Sequence, residues 1–199
     1  MERTVPLLAC RRDVLRLAAA AVVAGVAWPA LAADPVQLVQ GTAQQVIDIV
    51  KAKTGADRQA AILQVLQTKF DLPAMGRFAL GTHWNQATED QRARFLKAVA
   101  TAEARAYSER FGQYGGQTLT IGKVTPRANG VSIVDSRLSQ TSGQPIKLEW
   151  EVRNDRITDV KVEGVSMVMT RRSDFNSYIQ NHGGKVDALV QELEARAAR

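Results

Sequence analysis

The spacing of apolar residues changes period after Gly115-Gly116, and that switch limits the fold more than any other feature of the chain. Before it, apolar positions recur every three or four residues. Val36, Val39, Ala43, Val46 and Val50 mark one face of a helix starting near Pro35 and ended by Thr54-Gly55-Ala56. Ile62, Leu63, Leu66 and Phe70 mark a second helix, and Asp71 offers a cap to a short third one ending at Gly81. Thr88-Glu89-Asp90-Gln91 fits a capping box, and the helix it opens carries Phe95, Leu96, Val99, Ala102, Ala106 and Tyr107 up to Gly115-Gly116.

After Gly116 the period becomes 2. Leu119 and Ile121 alternate with Thr118 and Thr120, and Ile146, Leu148, Trp150 and Val152 alternate with Lys147, Glu149, Glu151 and Arg153. Residues 130–138 form a strand between these two, although Val131, Ile133 and Val134 leave its inward face undecided. Asn154-Asp155 makes a tight connection into a fourth strand, Ile157–Glu163. Met167 and Met169 then continue the alternation of Val160 and Val162. Two helices close the chain, one near Ser173–Asn181 and one carrying Val186, Leu189, Val190 and Leu193. Helices, then strands, then helices predict an α+β fold with helices packed on one face of a curved four-stranded antiparallel sheet.

The first 33 residues predict an export signal. A basic start precedes an uncharged run, Leu17–Ala33, and Ala30-Leu31-Ala32 is a small-x-small cleavage site. Residues 1–32 are therefore expected to be removed, leaving one domain over residues 33–199. Arg11-Arg12 followed by Val14, Leu15 and Arg16 has the twin-arginine order, although paired arginines also occur in general secretory leaders. Either route predicts the periplasm. The one cysteine, Cys10, would leave with this leader, which suits an oxidising compartment.

Charge and composition remove several functions. The net charge is +6, but residues 1–32 hold four basic and two acidic side chains, leaving +4 on the rest with no basic, aromatic-rich stripe. A nucleic-acid platform is not expected. With Cys10, His83 and His182 as the only soft ligands, neither a zinc site nor any other metal site is expected. Gly164-Val165-Ser166-Met167-Val168 lacks the second glycine of a nucleophile elbow, so Ser166 is expected to be structural. Glu149 and Glu151 share a strand face with Lys147 and Arg153, a pattern of solvated charge more than of paired catalytic carboxylates. His83 is expected to face water beside a Trp84 that plugs the core edge. No catalytic residue and no cofactor are predicted.

Two blocks carry a family resemblance. One runs from Val160-Lys161-Val162-Glu163-Gly164-Val165-Ser166-Met167-Val168 through Arg172 and Phe175 to Gly184-Lys185-Val186-Asp187-Ala188-Leu189-Val190. The other comprises Phe70-Asp71, Met75, Gly81, Trp84, Thr88-x-x-Gln91 and Phe95. In this order they resemble the MlaC (toluene-tolerance) family of periplasmic phospholipid-binding proteins, which includes a hopanoid-associated branch. Arg171 departs from the pattern, standing where the family usually places an aromatic residue.

The resemblance implies a soluble shuttle that holds phospholipid acyl chains in an apolar cavity between sheet and helices. Its implied partners are an inner-membrane ABC transporter complex and an outer-membrane lipoprotein complex. The apolar positions that the helix and strand periods turn inward, beside these blocks, are the expected wall. They are Leu72, Met75, Phe78, Phe95 and Val99 from the helices, and Leu148, Trp150, Val160, Val162, Met167 and Met169 from the sheet. Arg172 is a candidate to hold a headgroup phosphate, or else to bond backbone carbonyls at the start of the next helix. Two other classes share these periodicities. A small α+β-cone enzyme of the isomerase or dehydratase kind needs an ionisable inward strand residue, which Leu119, Ile121, Leu148, Trp150, Val160 and Val162 do not supply, and an adaptor needs a solid core.

Overall fold

In the computed structural model, residues 34–112, 114–140 and 142–198 are described, so the expected leader and its cleavage site lie outside the described residues. The first helix, α1 (Pro35–Ala52), begins where Asp34 accepts a hydrogen bond from the Val36 N–H. It is followed by α2 (Gly55–Lys69), α3 (Leu72–Leu80), the single turn α4 (His83–Gln86) and α5 (Glu89–Phe111). Asp71 caps α3 by accepting from the Ala74 N–H at 3.1 Å. Both halves of the capping box at Thr88 and Gln91 form, at 3.0 and 3.2 Å. Helix α5 stops at Phe111, one turn before the expected Gly115-Gly116, and the Gly112 N–H closes its last turn on the Ser108 and Glu109 carbonyls.

The sheet is a meander of β1 (Leu119–Pro126), β2 (Val131–Leu138), β3 (Ile146–Arg153), β4 (Arg156–Val162) and β5 (Val165–Ser166), all antiparallel in sequence order. The strand count is five, where four were expected. Asn154 and Asp155 both take positive φ (48° and 57°), and so do Glu163 and Gly164 (50° and 81°). The second of these two-residue turns therefore makes its own hairpin, and β5 is too short to show a period.

The chain closes with α6 (Met167–Asn181) and α7 (Val186–Ala198). Helix α6 starts six residues before the expected Ser173, which corrects the placement of Met167 and Met169 on a strand. Ser166 ends the extended segment by accepting from the Met169 N–H at 3.1 Å, and Asp159 accepts from the Val168 N–H at 3.2 Å. Two orphan amide donors of the first turn are satisfied by these side chains, so the helix begins where the alternating pattern of the sequence runs on.

Apolar packing divides into three clusters. Helices α3, α5, α6 and α7 enclose Leu80, Phe95, Phe175, Ile179, Leu189 and Val190, with Phe95 edge-on to Phe175 at 5.6 Å between ring centroids. Val39 of α1 packs on Val134, Val152 and Ile157 of the sheet. Ile62, Leu66 and Ala104 join α2 to α5, with Val46, Ile49, Leu72 and Tyr107 around them. Gly76 permits the close approach of α3 to α5, since a Cβ there would stand 2.4 Å from Leu96 Cδ2.

Phe95 has no exposed surface, so Phe95→Ala leaves a cavity that its neighbours fill only in part. Urea unfolding is expected to show a loss of about 3–5 kcal/mol. Asp71→Ala, which removes only a cap, is expected to cost about 1 kcal/mol in the same measurement.

Candidate functional site

The β-ladder registers align apolar residues into rows across one sheet face. Val124, Val134, Trp150 and Val160 are successive partners, and so are Ile121, Ser136, Leu148, Val162 and Val165. Leu119, Leu138 and Ile146 form a further row. Because side chains alternate between faces, each row places all its members on the same side. The undecided β2 is thereby settled: Val134 points inward with no exposed surface, while Ile133 is half-buried on the other side.

Burial along this face is graded. Val134, Val152 and Ile157 are covered by α1. Leu119, Ile121, Leu138, Ile146, Leu148, Trp150, Val160 and Val162 are half-buried, and Val165 is exposed. A half-covered hydrocarbon surface spanning four strands is an unsatisfied site for apolar contact. Its one interior polar pair is already closed, since the Trp150 indole N–H donates to Ser136 Oγ at 2.8 Å. The opposite face is charged, with Lys147 and Lys161 both reaching Glu149 at 2.7 and 3.9 Å. Lys147 holds the Glu149 carboxyl below its ordinary range, the behaviour of a stable surface ion pair and not of a general acid.

The expected wall residues fall into distinct places. Leu148, Trp150, Val160 and Val162 are brought together on the apolar sheet face. Leu72 packs into the cluster between α1, α2 and α5, and Phe95 and Val99 lie in the cluster closed by α6 and α7. Met75 and Met167 are half-buried. Phe78 and Met169 are exposed, at 42% and 53%. Arg172 crosses from α6 to α3, its guanidinium 5.0 Å from the Phe78 ring centroid. It also lies beside Gly81, where φ is +59° and a Cβ would come 3.3 Å from Arg172 Nε.

Two pockets, of about 350 Å³ on α5, α6 and α7 and about 480 Å³ along the outside of α1, contain none of the expected wall residues. The first has charged rims that are paired within the protein. Arg171 donates to both Glu103 oxygens, at 2.5 and 3.0 Å, and Arg105 to Glu109 at 2.9 Å. Arg171 thus braces α6 against α5. Beside this pair, burial first and the Glu103 charge second push the Tyr107 phenol above its ordinary value.

Catalytic candidates take structural positions. Ser166 is a helix cap. His83 is buried, contrary to the expectation that it faces water: its Nε2 lies 3.1 Å from Asn176 Oδ1, and its Nδ1 has no partner among the described residues. Trp84 is the more exposed of the two, covered by Arg92 at 5.3 Å. The loop-like composition hid this, because α4 is a single turn whose inward side is set by α6 and not by its own period. Asp159, buried at the foot of α6, was overlooked for a similar reason. On a half-buried strand an acidic residue reads as solvent-facing, and only the arrival of the α6 amides makes it a cap. Ser136 carried a legible signal, a lone polar residue between Val134 and Leu138 in a period of 2.

Among the described residues no group of His, Cys, Asp and Glu is arranged to hold a metal, and no helix is long and apolar enough to cross a membrane. The fold is similar to that of a solved phospholipid-binding protein from Ralstonia solanacearum, itself in complex with a phospholipid. That match has a TM-score of 0.69 at 21% identity and covers 83% of this chain and 98% of the other. The family model described as MlaC protein matches residues 40–195, which is most of the chain, so the protein belongs to the MlaC family.

Proposed function

We propose that the protein is a periplasmic lipid carrier that holds phospholipid acyl chains against the apolar face of its sheet and passes them between membranes. The observation that carries this is the graded face itself, in which Trp150 and Val160 pack at the edge of the α1-covered cluster and Leu148 and Val162 stand half-covered beyond it. Each buried methylene is favourable by about 0.8 kcal/mol, so one long acyl chain supplies on the order of 10 kcal/mol before ordering costs. Such binding needs apolar walls and an open side and no reacting group. The MlaC membership and the lipid-bound neighbour of the same fold support the assignment. An inner-membrane ABC transporter complex and an outer-membrane lipoprotein complex are the partners with which this role exchanges lipid. The phospholipid is cargo and not a cofactor.

Three outcomes test this. Protein purified from the periplasm is expected to carry phospholipid in native mass spectrometry, and consistently lipid-free protein that turns over a small substrate would overturn the proposal. Val162→Glu sets an unpaired carboxylate into the apolar row and is expected to weaken displacement-measured fatty-acid binding at least about tenfold. Lys147→Ala, on the charged face, is expected to leave it unchanged. Export is read by fusing residues 1–33 to a reporter: arrival in the periplasm is expected, and its loss on joint Arg11→Lys and Arg12→Lys substitution assigns the twin-arginine route.

A further inference from the structure

The open part of the apolar face has one closed end, and Trp150 stands at it. The inward positions of β3 are Ile146, Leu148, Trp150 and Val152, set roughly 7 Å apart along the strand. Val152 is buried in the cluster with Val39 of α1, and Trp150 packs against that cluster. Ile146 and Leu148 are half-buried and belong to none of the three clusters, as do their cross-strand neighbours Leu138 and Val162. Hydrocarbon lying along β3 therefore has a free run at Ile146 and Leu148 and meets packed protein at Trp150. A polar headgroup keeps its hydration only at the open end, so the methyl end points toward Trp150.

The direction of the indole makes this boundary a wall. Trp150 pairs across the ladder with Val134, and Ser136 pairs with Leu148, one row farther out. The indole N–H nonetheless donates to Ser136 Oγ at 2.8 Å. The ring thus leans diagonally out of its own row and across the next, toward the open end. Ser136 is only 2% exposed although its row partners Leu148 and Val162 are half-buried, as befits a small side chain with an indole resting on it. The ring cannot turn aside without leaving its N–H unpaired against hydrocarbon.

We propose that Trp150, pinned by Ser136, is the end stop of the acyl site and sets the chain length the protein accepts. The inference rests on the carrier role and adds selection among acyl chains. The methyl end abuts the indole, and Ser136 acts as a positioning residue that holds the ring across the path. Each methylene buried short of the stop tightens binding about fourfold, and methylenes that cannot pass it add nothing. Discrimination then comes from a wall and needs no polar recognition of the cargo.

The test uses the mature protein and saturated fatty acids from octanoate to eicosanoate, each below its micelle concentration. Affinity is expected to rise about fourfold per methylene and then level off. In Trp150→Ala the levelling is expected to move to longer chains, and in the milder Trp150→Phe to move less. Ser136→Ala is expected to move it as Trp150→Ala does, whereas Ser136→Thr, which keeps the hydroxyl, leaves it in place. Residues 33–199 contain two tryptophans, Trp84 and Trp150, so the contact can also be read by fluorescence without any substitution. Bromine at the methyl end of the fatty acid is expected to quench emission more than bromine beside the carboxylate, and this difference is lost in Trp150→Phe, which retains Trp84. An unbroken rise through eicosanoate, the same levelling in the parent and Trp150→Ala, or equal quenching from the two bromine positions overturns the stop and leaves the carrier role standing. Levelling unchanged in Ser136→Ala overturns the pinning by Ser136. A parent that binds none of these fatty acids overturns the carrier role instead.

Discussion

One backbone contact ties the helical half of the molecule to the sheet. The Asp71 N–H donates to the Ile157 carbonyl at 2.9 Å, and Phe70 and Ile157 make an isolated parallel bridge. Ile157 is fully buried, and Arg156 reinforces the junction by donating to the Gln67 carbonyl at 3.0 Å. Asp71 also caps α3, so the residue that leaves the bridge starts the helix lying along β4. Everything beyond follows from that anchorage: α3 sets α5 through Gly76, and α6 is held to α3 by Arg172 and to α4 by the bond between His83 and Asn176.

The anchorage covers the sheet unevenly. Helix α1 closes the end of the apolar face containing Val134, Val152 and Ile157, while Phe95 and its neighbours seal a separate cluster among α3, α5, α6 and α7. Between these two packed regions the remaining apolar rows stay half-covered. Those rows offer apolar burial that the protein's own helices leave unused. The single polar pair within the face, Trp150 and Ser136, is mutually satisfied and adds no desolvation cost when hydrocarbon covers it.

Ionic contacts keep the helices in place without entering the apolar face. Glu103 and Arg171 form a two-pronged bridge between α5 and α6, and Arg94 ties α5 to α7 through Asp187 and Glu194. Partly exposed pairs of this kind add modestly to stability but fix direction and distance. The Arg171 guanidinium meets an acid on the facing helix. Arg171 thus serves as a brace between helices and not as part of the apolar wall.

Helix starts, the order of elements and the faces of the long strands were legible in the sequence. Asp71, Thr88 and Asn154-Asp155 act through neighbours within four residues, and a period of 2 from Ile146 to Val152 needs no distant partner to define its sides. The same local signals misled where a cap came from far away: Met167 and Met169 alternate like strand residues, yet Asp159 and Ser166 turn them into the first turn of α6. Burial of His83 and the division of the expected wall among three clusters are likewise tertiary facts. Periodicity states that a residue has an apolar side. Which element meets that side, and whether it covers the surface fully as at Phe95 or half as at Val162, depends on contacts between residues far apart in the chain.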